Sequence, residues 1–237
     1  MSVLFGLTAQ KSNEEILKTA FQKVHEIRWI PFATTGADGL PSCRTIDFNL
    51  LSDGNIYFET EVGKPIYSDL QRCPVGTLCA IIGDGDKIHN KLMLRIKALV
   101  ECVDPNESIV DEFFARNPGT MSLFTKAPNV MKIFRLVLGQ GELYQTYRDD
   151  AVAFLRFTFG EIEPEPARYW INPETCTACG LCASVCNHGA VVPGPAYSID
   201  ATRCLKCGAC YDLCGSGSVK RRENDSWLPI LKRIGLN

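Results

Sequence analysis

The sequence CTACGLCASVC at residues 176–186 is repeated as CLKCGACYDLC at residues 204–214. Both stretches space their cysteines as C-x2-C-x2-C-x3-C, and the second copy lies 28 positions after the first. This spacing lets three thiolates hold one iron–sulfur cluster from a single loop, while the fourth cysteine, one helical turn further on, points to a second cluster. The glycine after the second cysteine, Gly180 or Gly208, suits a tight turn around the sulfurs. The spacing predicts two clusters, both of the [4Fe–4S] type.

Paired C-x2-C motifs also suit tetrahedral zinc, which is the alternative interpretation of this block. A four-cysteine run that occurs twice with the same spacing favours iron–sulfur clusters. Clusters ligated only by thiolates carry electrons and bind no organic substrate, so the block predicts electron transfer. The predicted metal ligands are Cys176, Cys179, Cys182, Cys186, Cys204, Cys207, Cys210 and Cys214.

Through these motifs, residues 167–216 resemble the bacterial two-cluster ferredoxins. The resemblance implies that each cluster takes three cysteines from one copy and the fourth from the other. One cluster would then be held by Cys176, Cys179, Cys182 and Cys214, and the other by Cys204, Cys207, Cys210 and Cys186. The proline that follows the fourth cysteine in that family is Asn187 in the first copy and Gly215 in the second. This departure concerns the exit of each loop and not its ligands.

The composition of the whole chain is that of a soluble globular protein, with 46% apolar and 22% charged residues. A formal charge of −2 argues against nucleic acid as a partner, because phosphate binding needs a basic surface. No apolar run reaches the about eighteen residues of a membrane span, and residues 1–10 lack the basic start and cleavage site of a secretory signal. The sequence therefore predicts a cytoplasmic protein.

Four further cysteines are scattered over the first half of the chain: Cys43, Cys73, Cys79 and Cys102. A reducing compartment disfavours disulfides between them, and no charged or histidine-rich neighbourhood activates them. They are predicted to be small buried hydrophobes.

The N-terminal part of the chain begins with a helix pattern and continues with strand patterns. Ser12 and Glu15 have the form of a capping box, and apolar residues recur at helical spacing up to Ile27, so a helix is predicted over 12–27. Turn sequences separate the strands that follow. Strands are predicted at 30–35, 42–50, 56–60, 76–82, 91–103, 131–146 and 151–159, and further helices at 65–71 and 104–116.

Antiparallel strands joined by short turns must close or be covered at their edges. We therefore predict a mainly β chain with α+β character, whose N-terminal domain (residues 1–165) is a six-stranded split β-barrel. A small ferredoxin-like two-cluster domain would follow at 166–216, and an amphipathic tail at 217–237.

Residues 28–160 resemble the FMN-binding split-barrel family related to pyridoxamine 5′-phosphate oxidase. The matching stretches are Phe32-Ala33-Thr34, Arg44-Thr45-Ile46, Tyr57-Phe58-Glu59-Thr60, Gly63-Lys64-Pro65-Ile66-Tyr67 and Leu94-Arg95-Ile96-Lys97-Ala98. The resemblance implies a homodimer with FMN at the subunit interface. The side chains of Arg44, Lys64 and Arg95 would supply the cations that the FMN phosphate needs. The FMN-binding residues that it implies are Arg44, Thr45, Ile46, Phe58, Glu59, Thr60, Gly63, Lys64, Pro65 and Arg95.

The sequence departs from that family near its C-terminus, where the arginine–histidine pair with which the oxidases hold pyridoxine is missing. Oxidation of pyridoxamine phosphate is therefore not predicted. The favoured function is an FMN-dependent reductase, in which single electrons from the clusters reach a small-molecule acceptor through FMN. The alternatives are a non-enzymatic electron carrier whose barrel docks the cluster module to a larger redox complex, and a barrel that binds haem or another cofactor. No catalytic residue is predicted, and the triplet Lys220-Arg221-Arg222 is a candidate dock for an acidic redox partner.

Overall fold

In the computed structural model, the described residues are 11–82, 92–124, 128–145, 154–162, 168–201 and 203–222. They form two compact units, of which the first spans Lys11–Tyr147 and Arg156–Ile162. The second contains the described residues from 168 onward. Within the described part of the chain, no helix is both long and apolar enough to cross a membrane.

The described residues of the first unit form a long antiparallel sheet and four α-helices. Its elements are α1 (Asn13–Ile27), β1 (Trp29–Thr35), β2 (Pro41–Asp47), β3 (Asn49–Leu50), β4 (Ile56–Glu61), α2 (Pro65–Arg72), β5 (Val75–Ile82), β6 (Leu92–Cys102), α3 (Ser108–Arg116), α4 (Pro118–Phe124), β7 (Met131–Gln145) and β8 (Phe154–Phe159).

Helix α1 begins at the predicted capping box. The Glu15 amide donates to the Ser12 hydroxyl (3.2 Å), and the Ser12 amide donates to the Glu15 carboxylate (3.0 Å), so two free donors of the first turn are satisfied. Ile16, Phe21 and Val24 are buried on one face of the helix. The helix predicted from this pattern is confirmed.

The strand order in the sheet is β2-β1-β5-β6-β7-β4-β3, with β8 also paired to β7. The mainly β class is confirmed, and within the described residues the sheet contains eight strands where six were predicted. The run predicted as one strand at 42–50 divides into β2 and β3 at Phe48, whose side chain is fully buried and whose amide donates to the Arg28 carbonyl (2.9 Å). Strand β2 pairs with β1, whereas Asn49 and Leu50 pair with β4, so the predicted strand divides where its partner changes.

The inner face of the sheet is packed with aromatic rings. Phe58 stacks on Phe134 (centroid distance 5.4 Å) and lies against Phe32 and Phe48 at similar distances. All four rings are buried. Gly76 on β5 gives Phe32 its space, because a Cβ at residue 76 would overlap the ring. Edge-to-face and stacked packing of this kind dominates the energetics of small cores.

The opposite face of β1, β2 and β5 is exposed. It presents Trp29 (65% exposed) and Ile81 (63% exposed), together with the thiols of Cys43 and Cys79. The prediction that the scattered cysteines are buried is wrong for these two and for Cys102, which is also exposed. Apolar neighbours led to that prediction, but alternate residues of a strand point to opposite faces, so burial of Leu78 and Ala80 leaves Cys79 outside.

The second unit is small and contains two short helices and two two-stranded ribbons. Its elements are β9 (Tyr169–Ile171), α5 (Leu181–Ser184), β10 (Val191–Val192), β11 (Ser198–Ile199), α6 (Ala209–Asp212) and β12 (Val219–Arg221). Strand β12 lies in residues assigned by sequence to the C-terminal tail. The rest of that tail, from 223, is outside the described residues, and the predicted domain boundaries remain predictions.

Candidate functional site

The two cysteine runs belong to halves that exchange strands with each other. Residues 28 positions apart are counterparts, so β9 corresponds to β11 and β10 to β12. Strand β9 of the first half pairs with β12 of the second, and β11 of the second half pairs with β10 of the first. Each half is therefore completed by a strand from the other.

The first set of predicted ligands meets in one pocket. Its lining includes Cys176, Cys179 and Cys182 from the first run together with Cys214 from the second. The remaining walls include Ile171, Tyr197 and Val219. The structure thus brings together the four cysteines that the ferredoxin resemblance assigns to one cluster.

The second set is brought together in the corresponding way. Burial raises the pKa of the Cys210 thiol to about 11, and neighbouring thiolate charges contribute further. Those charges belong to Cys204, Cys207 and Cys186. Cys186 therefore lies near the loop of the other run, as crossed ligation requires.

Both ligand loops share an uncommon backbone. Ala178 and its counterpart Lys206 have positive φ (53° and 60°), as do Gly180 and Gly208 (78° and 89°). Left-handed residues within a tight loop turn successive amides toward a common centre, which favours an anionic group there. A side chain at Gly208 would also come within 3.0 Å of the Tyr169 hydroxyl.

Backbone amides are directed at the ligand sulfurs. Amide donors lie 3.3 Å from Cys186 Sγ (Ala190) and 3.4 Å from Cys214 Sγ (Val219). Burial alone would raise the pKa of Cys214, but hydrogen bonds led by the Ser216 hydroxyl outweigh it and lower the pKa. These contacts favour thiolate, which is the form that binds iron.

The residues present fit [4Fe–4S] clusters, because two groups of four cysteines converge within loops rich in sulfur-directed amides. Among the residues that the structure describes, no three histidine, cysteine, aspartate or glutamate side chains are placed to hold one common metal ion, but the four cysteines of a cluster do not share one ion, because each binds an iron of its own. The crossed convergence of the cysteines, the left-handed loop backbone and the cysteine spacing all favour clusters.

The residues predicted to bind FMN are divided between the two faces of the sheet. Arg44 lies on the inner face, in register with the buried Phe32. Its guanidinium donates to the Thr34 hydroxyl (2.5 Å) and to the buried carboxylate of Asp69 on α2 (3.2 Å). Arg44 is thus held beneath α2, and Ile46 follows it on the same face.

Thr60 on β4 faces the same interior as Phe58, two residues before it. It is 2% exposed, and its hydroxyl has no hydrogen-bond partner within the described part of the protein. Strands β2 and β4 approach each other across the opening of the sheet, and α2 packs against β4. A buried hydroxyl without a hydrogen-bond partner lowers the stability of the fold by about 1–3 kcal/mol. The Thr60 hydroxyl therefore fits a site where a bound polar group would supply the partner.

The segment Gly63-Lys64-Pro65 forms the start of α2. Lys64 is the N-cap residue and its side chain caps no amide. Pro65 has no N–H and the Tyr67 amide donates to the Lys64 carbonyl (3.0 Å), so the Ile66 amide is the first-turn donor suited to a phosphate. The Lys64 ammonium pairs with Glu61 (2.5 Å) and is largely exposed. Together with Arg44 and Thr60, this segment fits the phosphate end of FMN.

Thr45 and Arg95 do not join this group within one chain. Thr45 is exposed on the outer face, and Arg95 on β6 pairs with Glu142 of β7 (3.0 Å) with 61% of its side chain exposed. Since β1 and β5 separate β6 from β2, Arg95 lies away from the opening beside β4.

Glu59 lies on the face of β4 opposite to Phe58 and Thr60. Burial, and then the charge of Asp47, raise the pKa of its carboxyl. Asp47 itself is held by Arg28, whose guanidinium also reaches Asn49 (3.2 Å) and Asn117 (2.9 Å). Arg28 has a positive φ of 61°, so this polar cluster depends on a strained residue at the end of α1.

Sequence reasoning missed two residues of the inner group, Thr34 and Asp69. Thr34 belongs to a stretch that carries the family resemblance, and Asp69 lies in the helix predicted at 65–71, but the sequence analysis gives neither residue a role. The available signal was a carboxylate on the buried face of that helix, beside the apolar Ile66 and Leu70, because a buried carboxylate needs a cationic partner.

A comparison with protein families matches residues 169–192 to the family described as 4Fe-4S binding domain. This match indicates iron–sulfur electron transfer and at least one [4Fe–4S] cluster in the second unit. No curated protein matches the chain.

Several solved structures resemble the chain weakly. A heme binding protein from Mycobacterium smegmatis is 12% identical, with a TM-score of 0.49, over 64% of this chain and 60% of that protein. A NimC/NimA family protein from Clostridium acetobutylicum is 11% identical (TM-score 0.49, 62% and 97% covered). A pyridoxamine 5′-phosphate oxidase-related, FMN binding protein from Nostoc punctiforme is 13% identical (TM-score 0.41, 66% and 93% covered). Likenesses at this level carry no conclusion on ligand or reaction.

Proposed function

We propose that this protein is an iron–sulfur flavoprotein that moves electrons between two [4Fe–4S] clusters and FMN and reduces a small-molecule acceptor. The observation that carries the proposal is the pocket that joins Cys214 to Cys176, Cys179 and Cys182. A pocket built from both runs supports crossed ligation, and crossed ligation by eight cysteines requires two clusters.

FMN is proposed to bind at the opening between β2 and β4, with its phosphate end near Arg44, Thr60 and the start of α2. The unpartnered Thr60 hydroxyl and the Ile66 amide in the first turn of α2 support this placement. FMN supplies chemistry that the clusters lack, because it exchanges electrons singly or in pairs. FMN can therefore collect two single electrons from the clusters, which a donor protein supplies one at a time. It can then pass both electrons to an acceptor that also takes up protons from water.

A homodimer is proposed to form through the outer face of the sheet. That face carries exposed Trp29 and Ile81, and it also holds the two predicted FMN residues that do not reach the opening of their own chain, Thr45 and Arg95. Light scattering of the purified full chain tests this assignment: a mass of one chain would contradict it.

The experiment that tests the function is cofactor analysis of the full chain, prepared and reconstituted without air. We expect about eight irons and about eight acid-labile sulfides per chain, and about one FMN. Rapid mixing with a low-potential reductant should then reduce the clusters, followed by bleaching of the flavin absorbance.

Other results would identify the alternatives. Full iron content without flavin would favour an electron carrier, and a haem spectrum would replace FMN with haem. Zinc in place of iron would overturn the cluster assignment itself. Flavin that stays oxidised beside reduced clusters would refute electron transfer between them.

A further inference from the structure

The two halves of the cluster module have the same order of strands and helix but differ in charge. Residues 168–194 and 196–222 are counterparts at the offset of 28 positions. The first range contains one arginine and one glutamate, whereas the second contains five basic and two acidic residues. Each of the five basic residues corresponds to an uncharged residue of the first half. They are Arg203, Lys206, Lys220, Arg221 and Arg222, and their counterparts are Thr175, Ala178, Val192, Pro193 and Gly194.

Three of these basic residues lie together at the surface, in β12 and directly after it. Strand β12 pairs with β9, so Lys220 lies opposite Trp170 and Arg221 lies opposite Tyr169. Residues 220–222 are all exposed, and Trp170 and Tyr211 are 38% and 41% exposed. Residues 220–222 with Trp170 and Tyr211 are here called the basic patch.

Two cations of the basic patch lie over aromatic rings. The guanidinium carbon of Arg221 is 5.8 Å from the centre of the Tyr211 ring, and that of Arg222 is 6.0 Å from the centre of the Trp170 ring. Cations at such distances are attracted to the ring face, which holds the two arginines near the protein surface. Arginine, tyrosine and tryptophan are the residues enriched in protein–protein interfaces. The patch therefore has the composition of an interface and not only that of a solvated charged strand.

The basic patch lies beside the second ligand loop. Tyr211 directly follows the ligand Cys210, and its ring lies against Tyr169 (centroid distance 5.8 Å). The Tyr169 hydroxyl is 3.0 Å from the position of a Cβ at Gly208, which stands between the ligands Cys207 and Cys210. Helix α6, which carries Cys210 and Tyr211, also packs against β12. A protein bound to the patch would therefore lie next to a loop that holds a cluster.

We propose that the basic patch is the docking surface for an acidic protein that carries single electrons and exchanges them with the cluster module. In the exchange, one partner is oxidised by one electron and the other is reduced by it, and no bond forms or breaks. Opposite charges on the two surfaces speed and orient the encounter, and electron-transfer partners form small interfaces. The inference rests on the cluster part of the proposed function and is independent of FMN.

The uneven charge of the two halves favours a partner protein over the other uses of basic residues. Cations that only balanced the negative charge of the clusters would be needed in both halves, because each half supplies ligands to both clusters. Nucleic acid is disfavoured by the formal charge of −2 on the whole chain. A docking surface on one side of the module is consistent with basic residues in one half.

The first test measures binding of the anaerobic full chain to a dye-labelled plant-type [2Fe–2S] ferredoxin, chosen as an acidic one-electron carrier. Fluorescence anisotropy gives Kd at ionic strengths of about 0.01 M and about 0.15 M, between which the screening length falls from about 30 Å to about 8 Å. The Kd of the wild type should rise with salt. At the lower ionic strength, Lys220→Gln and Arg221→Gln should each raise Kd about threefold, and Lys220→Arg should bind like the wild type.

Val192→Glu is the matched control for Lys220→Gln. Val192 is the counterpart of Lys220 in the first half, it is 41% exposed, and it belongs to the other two-stranded ribbon. Both substitutions make the net charge of the chain more negative by the same amount. Val192→Glu should therefore change Kd much less than Lys220→Gln if the position of the charge matters and not only its total.

The second test follows electron exchange by rapid mixing. Reduced ferredoxin is mixed with the oxidised chain, and the reduced chain with oxidised ferredoxin, so that one direction is favoured whatever the potentials are. Lys220→Gln should lower the second-order rate constant of the favoured direction about threefold at the lower ionic strength. Reduced methyl viologen, a small cation that needs no docking surface, should reduce the wild type and Lys220→Gln equally fast.

The failure of this inference can be told apart from failure of the proposed function. A wild type without iron would contradict the clusters themselves. Full iron content with no binding of ferredoxin at low ionic strength, or with a Kd that neither salt nor Lys220→Gln changes, would overturn the docking role. Equal effects of Lys220→Gln and Val192→Glu would overturn it as well, and so would a Lys220→Gln variant that methyl viologen also reduces more slowly.

Discussion

The cluster module and the sheet unit hold their candidate sites by different means. In the module, ligands and framework are nearly the same residues, since Cys182 is itself a member of a small core with Tyr169, Ile171, Val191 and Val219. In the sheet unit, the aromatic core of Phe32, Phe48, Phe58 and Phe134 shares only Phe58 with the residues predicted to bind FMN. Loss of the metal should therefore unfold the cluster module, while loss of FMN should leave the sheet unit folded.

The crossed ligation of the module gives the largest expected effect, through two double variants. Cys176→Ala with Cys214→Ala removes two ligands of one cluster, so about four of about eight irons should remain. Cys176→Ala with Cys186→Ala removes one ligand from each cluster and should leave far less intact [4Fe–4S] cluster. Iron analysis and electron paramagnetic resonance measure both.

Uncrossed ligation would reverse these two outcomes, so the pair is its own control. Cys79→Ala, which alters an exposed cysteine of the sheet, should retain full iron content.

The stability of the sheet unit should depend instead on the packing of its aromatic core. Gly76→Ala places a Cβ where the Phe32 ring lies, and overpacking of a well-packed core costs about 3 kcal/mol. Denaturant unfolding, followed by the far-ultraviolet signal of the sheet, measures the loss. Gly63→Ala is the matched control, because nothing lies within 4 Å of its added methyl group. An equal effect of both substitutions would contradict the packing described for Phe32.

The two regions also differ in how much of them could be predicted from sequence. Cysteine spacing is a local property, so the loops around Gly180 and Gly208 could be derived from the motif. The two faces of the sheet could not be assigned from sequence, because the strand patterns around Thr45 and Arg95 do not indicate which face the other strands and α2 cover. The division of 42–50 at Phe48 depends likewise on distant residues, because the partner strand changes there from β1 to β4.

A smaller effect is expected from the buried carboxylate beneath α2. Burial raises the pKa of Asp69, but hydrogen bonds from Thr34, Arg72 and Arg44 outweigh it, so the pKa is lowered. A carboxyl with a lowered folded-state pKa stabilises the protein fully above its unfolded value of about 4. That stabilisation is lost as the pH falls through the folded-state pKa.

Asp69→Asn should therefore cost about 2 kcal/mol at neutral pH, since it weakens hydrogen bonds to two cations. The difference from wild type should shrink as the pH falls below about 4. Unfolding free energies measured across that range test this, and a difference independent of pH would contradict the charged state of Asp69.

The smallest expected effect comes from Thr60, where one substitution should raise the stability of the flavin-free protein and weaken the binding of FMN. Thr60→Val replaces the unpartnered hydroxyl with a methyl group of similar shape, so the flavin-free protein should become more stable by about 1 kcal/mol. If FMN contacts Thr60, the same variant should retain less flavin on gel filtration. Thr34→Val is the matched control, because its hydroxyl is bonded to Asp69 (2.7 Å) and its loss should destabilise the protein. If Thr60→Val gains stability and keeps its flavin, FMN binds elsewhere. If the flavin-free variant loses stability, the Thr60 hydroxyl has a hydrogen-bond partner in the folded chain.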